Sequence, residues 1–124
     1  MSKRAFFISA ILIFVAGIST GVAVAGRMKS PENLSTKELL NNQRVTVTEI
    51  TMPVQARREA YTRPSDQIIV FIDEADYEAI DAAGQKQVRH RKAGEIIWHN
   101  KGEAAPTLVN TGKRPYRNLV IALK

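Results

Sequence analysis

Two kinds of hydrophobic pattern divide this chain. From Ala5 to Ala25 apolar residues run together, "AFFISAILIFVAG" and then smaller residues, whereas from Arg44 onward apolar and polar positions alternate in short blocks. Alternation with period two predicts strands. "RVTVTEITM" (Arg44 to Met52) places Val45 and Val47 on one phase and Ile50 and Met52 on the other, which predicts a strand with a bulge near Thr48 or Glu49. "QIIVFI" (Gln67 to Ile72) is a continuous β-branched and aromatic run and predicts a strand buried on both faces. "DYEAI", "QKQVRHR", "GEIIWH", "PTLVN" and "YRNLVIALK" follow, separated by turn residues such as "DAAG" and "NTGKRP". Strand segments at roughly ten-residue spacing predict an all-β sandwich or small barrel.

Between the two patterns lies a polar connector, residues 26–43, "GRMKSPENLSTKELLNNQ". Ser35 and Glu38 stand at capping-box spacing, with Leu34 and Leu39 placed as a hydrophobic staple. The expectation is a short capped helix ended by Asn41 and Asn42. The apolar segment before it starts with Lys3 and Arg4 and closes on "AVA" (Ala23 to Ala25), the layout of a secretory signal peptide. Residues 1–25 are therefore read as a signal peptide. The alternative is an uncleaved anchor, since Ala5 to Ala25 is just long enough to span a bilayer of roughly 30 Å. Either way residues 44–124 form a β-barrel domain exported from the cytoplasm, periplasmic or secreted, and contact with a membrane follows only if the leader stays attached.

Composition narrows the chemistry. With 124 residues and no cysteine, the chain supports one domain resting on its hydrophobic core, without disulfides, thiol nucleophiles or Cys-based metal sites. The formal charge of +6 falls to +4 once Lys3 and Arg4 are removed, and the remaining cations are scattered, so a nucleic-acid partner is not expected. The run Lys86, Arg89, His90, Arg91, Lys92 reads as a solvated or edge strand, with contact to a polyanion or acidic lipid as the alternative.

Several of these segments together carry a family resemblance. From about Val45 to Lys124 their order resembles a single-domain cupin, a small jelly-roll β-barrel. The most specific part is "KAGEIIWHNKGEAAPTLVNTGKRPYRNLVIALK", where Gly94, Glu95, Gly102, Asn110, Gly112, Pro115, Arg117 and Leu123-Lys124 stand in the places of the cupin pattern. "SDQIIVFIDEADYE" resembles the strand of the first motif. Metal-binding cupins hold a divalent ion with a His-x-His pair and a Glu from the first motif and a His from the second. Here the pair falls on Ala60 and Thr62 or on Tyr61 and Arg63, the Glu on Gln67, and the second-motif His on Pro106. The resemblance thus implies a degenerate cupin without the usual metal, and no cofactor is expected.

Two functional readings remain open. In the first, the barrel is a non-catalytic, metal-free module that is structural or binds a small organic ligand, its cavity bounded by Tyr61, Thr62, Gln67, Trp98 and Pro106. In the second, it is a metal-independent enzyme of the isomerase or epimerase kind, with His99 as base, Tyr61 as acid, and Glu59 or Glu95 orienting the histidine. Strand alternation opposes Trp98 and His99: with the indole inside the barrel, the imidazole lies outside. His99 is accordingly expected to be a bystander at a strand end. Cupins commonly dimerise through their sheets, which leaves a homodimer as an open expectation.

Overall fold

The computed structural model describes residues 33–124; the segment expected to be a signal peptide, residues 1–25, and the first part of the connector, residues 26–32, lie outside the described residues. Every regular element among them is a strand: β1 (Ser35–Asn41), β2 (Val45–Met52), β3 (Arg57–Arg58), β4 (Tyr61–Thr62), β5 (Gln67–Phe71), β6 (Ala75–Ile80), β7 (Lys86–Arg91), β8 (Ile96–His99), β9 (Ala104–Ala105), β10 (Thr107–Val109) and β11 (Tyr116–Leu123). They pair antiparallel into a five-stranded sheet, β1-β2-β11-β5-β8, a four-stranded sheet, β3-β10-β6-β7, and a two-stranded ribbon, β4-β9.

The short helix expected at Ser35 is instead strand β1. A helix of so few residues is marginal on its own, whereas the adjacent β2 edge offers a full ladder of backbone partners. Asn42 closes the hairpin: its Oδ1 accepts from the N–H groups of Arg44 (2.8 Å) and Val45 (2.9 Å), and its own N–H donates to the Val45 carbonyl (3.0 Å). The barrel therefore begins at Ser35 rather than Arg44. The bulge is also displaced. β2 runs in unbroken register against β11, and the irregularity falls on β1 between Glu38 and Leu40, opposite Thr48 and Val47.

Inward positions of the two large sheets build one core. Met52, Ala56, Ile69, Phe71, Ala75, Tyr77 and Tyr116 are buried together. The rings of Phe71, Tyr77 and Tyr116 pack at centroid separations of 5.9–6.1 Å, within the range where aromatic pairs attract. β5 is buried on one face only: Gln67, Ile69 and Phe71 point in, while Ile68 and Val70 are half-buried on the outer side. That outer side is apolar across strands, because register aligns Ile68 with Ile121 and Trp98, and Val70 with Leu119 and Ile96. β7, with its cationic run, forms the edge of the four-stranded sheet. Across the ladder His90 faces Asp76, with Nδ1 2.7 Å from Asp76 Oδ1 and Nε2 3.2 Å from Glu74 Oε2.

The loop after β10 is held by Asn110, which is fully buried. Its Nδ2 donates to the carbonyls of Met52 (2.9 Å) and Arg114 (3.0 Å), and its Oδ1 accepts from the Gly112 N–H (3.0 Å). A side chain at Gly112 would press on the Asp76 backbone and Cβ at 3.2 Å, so the Asn-x-Gly turn needs both residues.

Candidate functional site

Inside the barrel lies a cavity of about 210 Å3. Its apolar wall comes from Ile50 and Met52 on β2, Ile69 and Phe71 on β5, Ile97 on β8 and Val120 on β11. Its polar groups come from chain-distant segments: Arg58 on β3, Tyr61 on β4, Arg63 just after it, His99 at the end of β8, Glu103 in the following turn, and Tyr116 and Asn118 on β11.

The backbone of Arg63 is clamped by the turn that follows β8. The Gly102 N–H donates to the Arg63 carbonyl (2.8 Å), and the Arg63 N–H donates to the Glu103 carbonyl (3.0 Å). Gly102 takes φ +84°, a left-handed conformation that glycine adopts without penalty. Thus "NKGE", distant in sequence, sets where Arg63 enters the barrel. Its guanidinium, in a residue only 4% exposed, donates through Nη1 to Gln67 Oε1 (3.0 Å) and to the Tyr61 hydroxyl (3.3 Å). The Arg58 guanidinium donates to the Pro106 carbonyl. Both guanidiniums stand over the Tyr61 ring, at 5.2 Å for Arg58 and 5.6 Å for Arg63, a favourable cation–π placement. Burial pulls the Arg58 pKa below the usual arginine value; the Tyr61 phenol opposes this, while the positive Arg63 adds to it.

His99 and Trp98 take the opposite faces from those expected. Trp98 is 50% exposed on the outer side, where its indole N–H donates to Asn100 Oδ1 (2.9 Å), and it does not line the cavity. His99 faces the cavity and pairs across the strand with Gln67. The sequence "EIIWH" has apolar residues on both phases, so hydrophobicity does not choose the face. Pairing with β5 does. The residue orienting the imidazole is Glu103, whose Oε2 lies 3.4 Å from His99 Nδ1. Glu59 and Glu95 are engaged elsewhere, with Arg57 (2.8 Å) and Arg91 (2.7 Å).

The electrostatics of this pair are consistent with its surroundings. Burial, then the Arg63 charge, lower the His99 pKa, and the Glu103 carboxylate resists. A hydrogen bond from the Asn100 N–H holds the Glu103 carboxyl below the ordinary carboxylate range. A neutral His99 beside an ionised Glu103 donates from Nδ1 and leaves the Nε2 lone pair free.

The remaining expected pocket residues separate. Tyr61 and Pro106 line the cavity; Gln67 is buried beside it, tied to Arg63 and Tyr61. Thr62 instead lines a second, more open and larger groove over β6 and β7, which Tyr61 and Pro106 also border and where Asp81 and Lys86 are exposed. Arg58 and Arg63 were not singled out as binding residues from the sequence. The available signal was "RREAYTR": cations interleaved with an aromatic just before a buried strand.

Among the described residues no three His, Cys, Asp or Glu side chains cluster as a metal ligand set. Where the resemblance puts metal ligands, the chain presents Tyr61 and Arg63, or Ala60 and Thr62, together with the amide of Gln67 and with Pro106. One imidazole and one carboxylate beside two guanidiniums do not fit a divalent cation, because guanidinium has no lone pair to donate and repels positive charge.

No family model and no curated protein matches the chain. Solved structures do. A cupin domain from Bordetella pertussis Tohama I is 18% identical with a TM-score of 0.68, covering 78% of this chain and 98% of that one. The polyketide cyclase RemF from Streptomyces resistomycificus is 16% identical with a TM-score of 0.61, covering 75% and 66%. The DMSP lyase DddQ from Ruegeria pomeroyi DSS-3 is 18% identical with a TM-score of 0.57, covering 73% and 47%. Such distant likenesses speak for architecture and leave the chemistry open: residues 35–124 of this chain adopt the small cupin fold, an all-β jelly-roll barrel.

Proposed function

We propose that the protein is an exported cupin that binds a small organic molecule in its barrel without a metal. The observation carrying this reading is the cavity itself: an apolar wall with a few convergent polar groups, the usual make-up of a small-molecule site, with the guanidiniums of Arg58 and Arg63 among them. Its volume, about 210 Å3, lies below the roughly 300–1,000 Å3 of drug-sized sites, which favours a compact ligand. Export rests on the leader. The mass of the protein recovered outside the cytoplasm distinguishes cleavage after Ala25 from a retained anchor.

The test is elemental mass spectrometry on protein purified without an affinity tag and offered iron, manganese, zinc and nickel in turn. Sub-stoichiometric retention of all four is expected. Near-stoichiometric retention of any one of them overturns the metal-free reading.

A second reading has one observation in its favour. His99 and Tyr61 both line the cavity, and Glu103 stands behind the imidazole, an arrangement suited to a metal-independent proton transfer. RemF and DddQ are enzymes on this fold, so catalysis is compatible with the architecture. Conversion of a bound ligand by the parent protein, lost in His99→Gln, would favour this reading over simple binding.

A further inference from the structure

We propose that the ligand is a small organic carboxylate, gripped by Arg58 and Arg63 deep in the barrel. This rests on the reading of the cavity as a ligand site and adds the ligand's chemical class. Four buried side-chain atoms have no hydrogen-bond partner among the described residues: Arg58 Nε, Arg63 Nε, the Tyr116 hydroxyl and Asn118 Oδ1. All four belong to residues lining this one cavity. Buried polar groups are nearly always paired, and those left over at one place call for an explanation. Three of them are donors, and two of those donors are on cations.

Charge points the same way. Arg58, Arg63, Arg89 and Arg91 line the cavity against one carboxylate, Glu103. Arg91 is engaged by Glu95 (2.7 Å) and the Tyr77 hydroxyl (3.1 Å). Glu103 is committed to the Asn100 N–H (2.7 Å) and His99. Arg58 and Arg63 have no carboxylate partner among the described residues. Two guanidiniums brought out of water beside each other are unfavourable unless an anion completes them. A carboxylate accepts from guanidinium N–H groups and from a phenolic O–H, the kinds of donor left without a partner here. A hydroxyl or amine beside it would satisfy Asn118 Oδ1. The wall of Ile50, Ile69, Ile97 and Val120 suits a short hydrocarbon body, unlike that of a fully solvated inorganic oxyanion. At roughly 30 Å3 per water the cavity holds about seven waters' volume, so the acid must be compact.

The experiment is isothermal calorimetry on the full chain at low ionic strength. The probes are acetate, 2-hydroxypropanoate and butanedioate, their neutral amides, and inorganic phosphate. Carboxylates should bind, and their amides should bind at least about tenfold more weakly, as expected when a charge-assisted hydrogen bond is lost. Arg58→Met and Arg63→Met should each weaken carboxylate binding by about ten- to a hundredfold. Arg117→Met should leave it unchanged, because Arg117 pairs with Asp73 on the exterior (2.8 Å). Amides binding as well as acids, phosphate binding more tightly than every carboxylate, or both cavity variants retaining full affinity would overturn the carboxylate while leaving a ligand site standing. Binding of no probe, acid or amide, would remove the ligand site and this inference with it.

Discussion

Removing the Asn110 side chain tests how the barrel closes around its cavity. The residue is 0% exposed and its amide makes three hydrogen bonds, to the Met52 carbonyl, the Arg114 carbonyl and the Gly112 N–H. In Asn110→Ala all three are lost, and the Met52 carbonyl loses a partner in a buried place. At about 1 kcal/mol net per hydrogen bond the loss comes to about 3 kcal/mol. The two backbone bonds of residue 110, from Gln55 N–H and to the Ala56 carbonyl, do not depend on the side chain and should survive. For a domain of this size each kcal/mol moves the midpoint by roughly 4–8 °C, so thermal unfolding followed by circular dichroism should fall by about 12–24 °C. Asn110→Asp refines the test. It keeps the acceptor for Gly112 but turns an oxygen toward two carbonyls, so it should be at least as destabilising at neutral pH. A loss below about 1 kcal/mol in Asn110→Ala would refute the view that this amide locks the loop.

Two further perturbations probe the cavity wall. The folded-state pKa of His99 lies below its unfolded value of about 6.5. The unfolded chain therefore takes up its proton first, and this contribution to stability is complete above about pH 6.5 and is lost as pH falls. The groups facing the imidazole are Glu103, which resists the shift, and Arg63 and Arg58, which reinforce it. Urea midpoints measured between about pH 5 and 7 should vary less with pH in His99→Gln than in the parent, and an identical pH profile would contradict the assignment. Tyr116→Phe removes a buried hydroxyl with no partner among the described residues. Chemical denaturation should place its stability within about 1 kcal/mol of the parent or above it, and a loss of more than about 1.5 kcal/mol would mean that the hydroxyl is hydrogen-bonded in the folded protein.

Alternation and short apolar runs bounded by turn residues are local properties, and together they sufficed to place β2, β5, β6, β7, β8, β10 and β11 close to where they stand. Turn chemistry and strand spacing made an all-β sandwich or small barrel legible, and the resemblance to cupins implied the jelly roll. What misled at Ser35 was also local. A capping-box spacing describes how a helix could start, but the free edge of β2 lay elsewhere in the sequence and offered β1 a better use of its backbone.

The site depended on long-range contacts. Nothing in "EIIWH" ranks Trp98 against His99 for the interior, since both phases carry apolar residues. The pairing of Gln67 with His99 decides the matter by putting the imidazole on the buried face of β5. Arg58 and Arg63 follow the same logic. They sit in irregular or two-residue strands without periodic pattern, and their burial comes from Pro106, from Gln67 and from the turn at Gly102. The amino-acid sequence alone determined that the chain beyond the connector is built of short strands, because apolar runs, alternation and turn residues are written in neighbouring positions. Which side chains share the cavity, and that two of them are guanidiniums without a carboxylate partner among the described residues, was decided by strand register across the barrel.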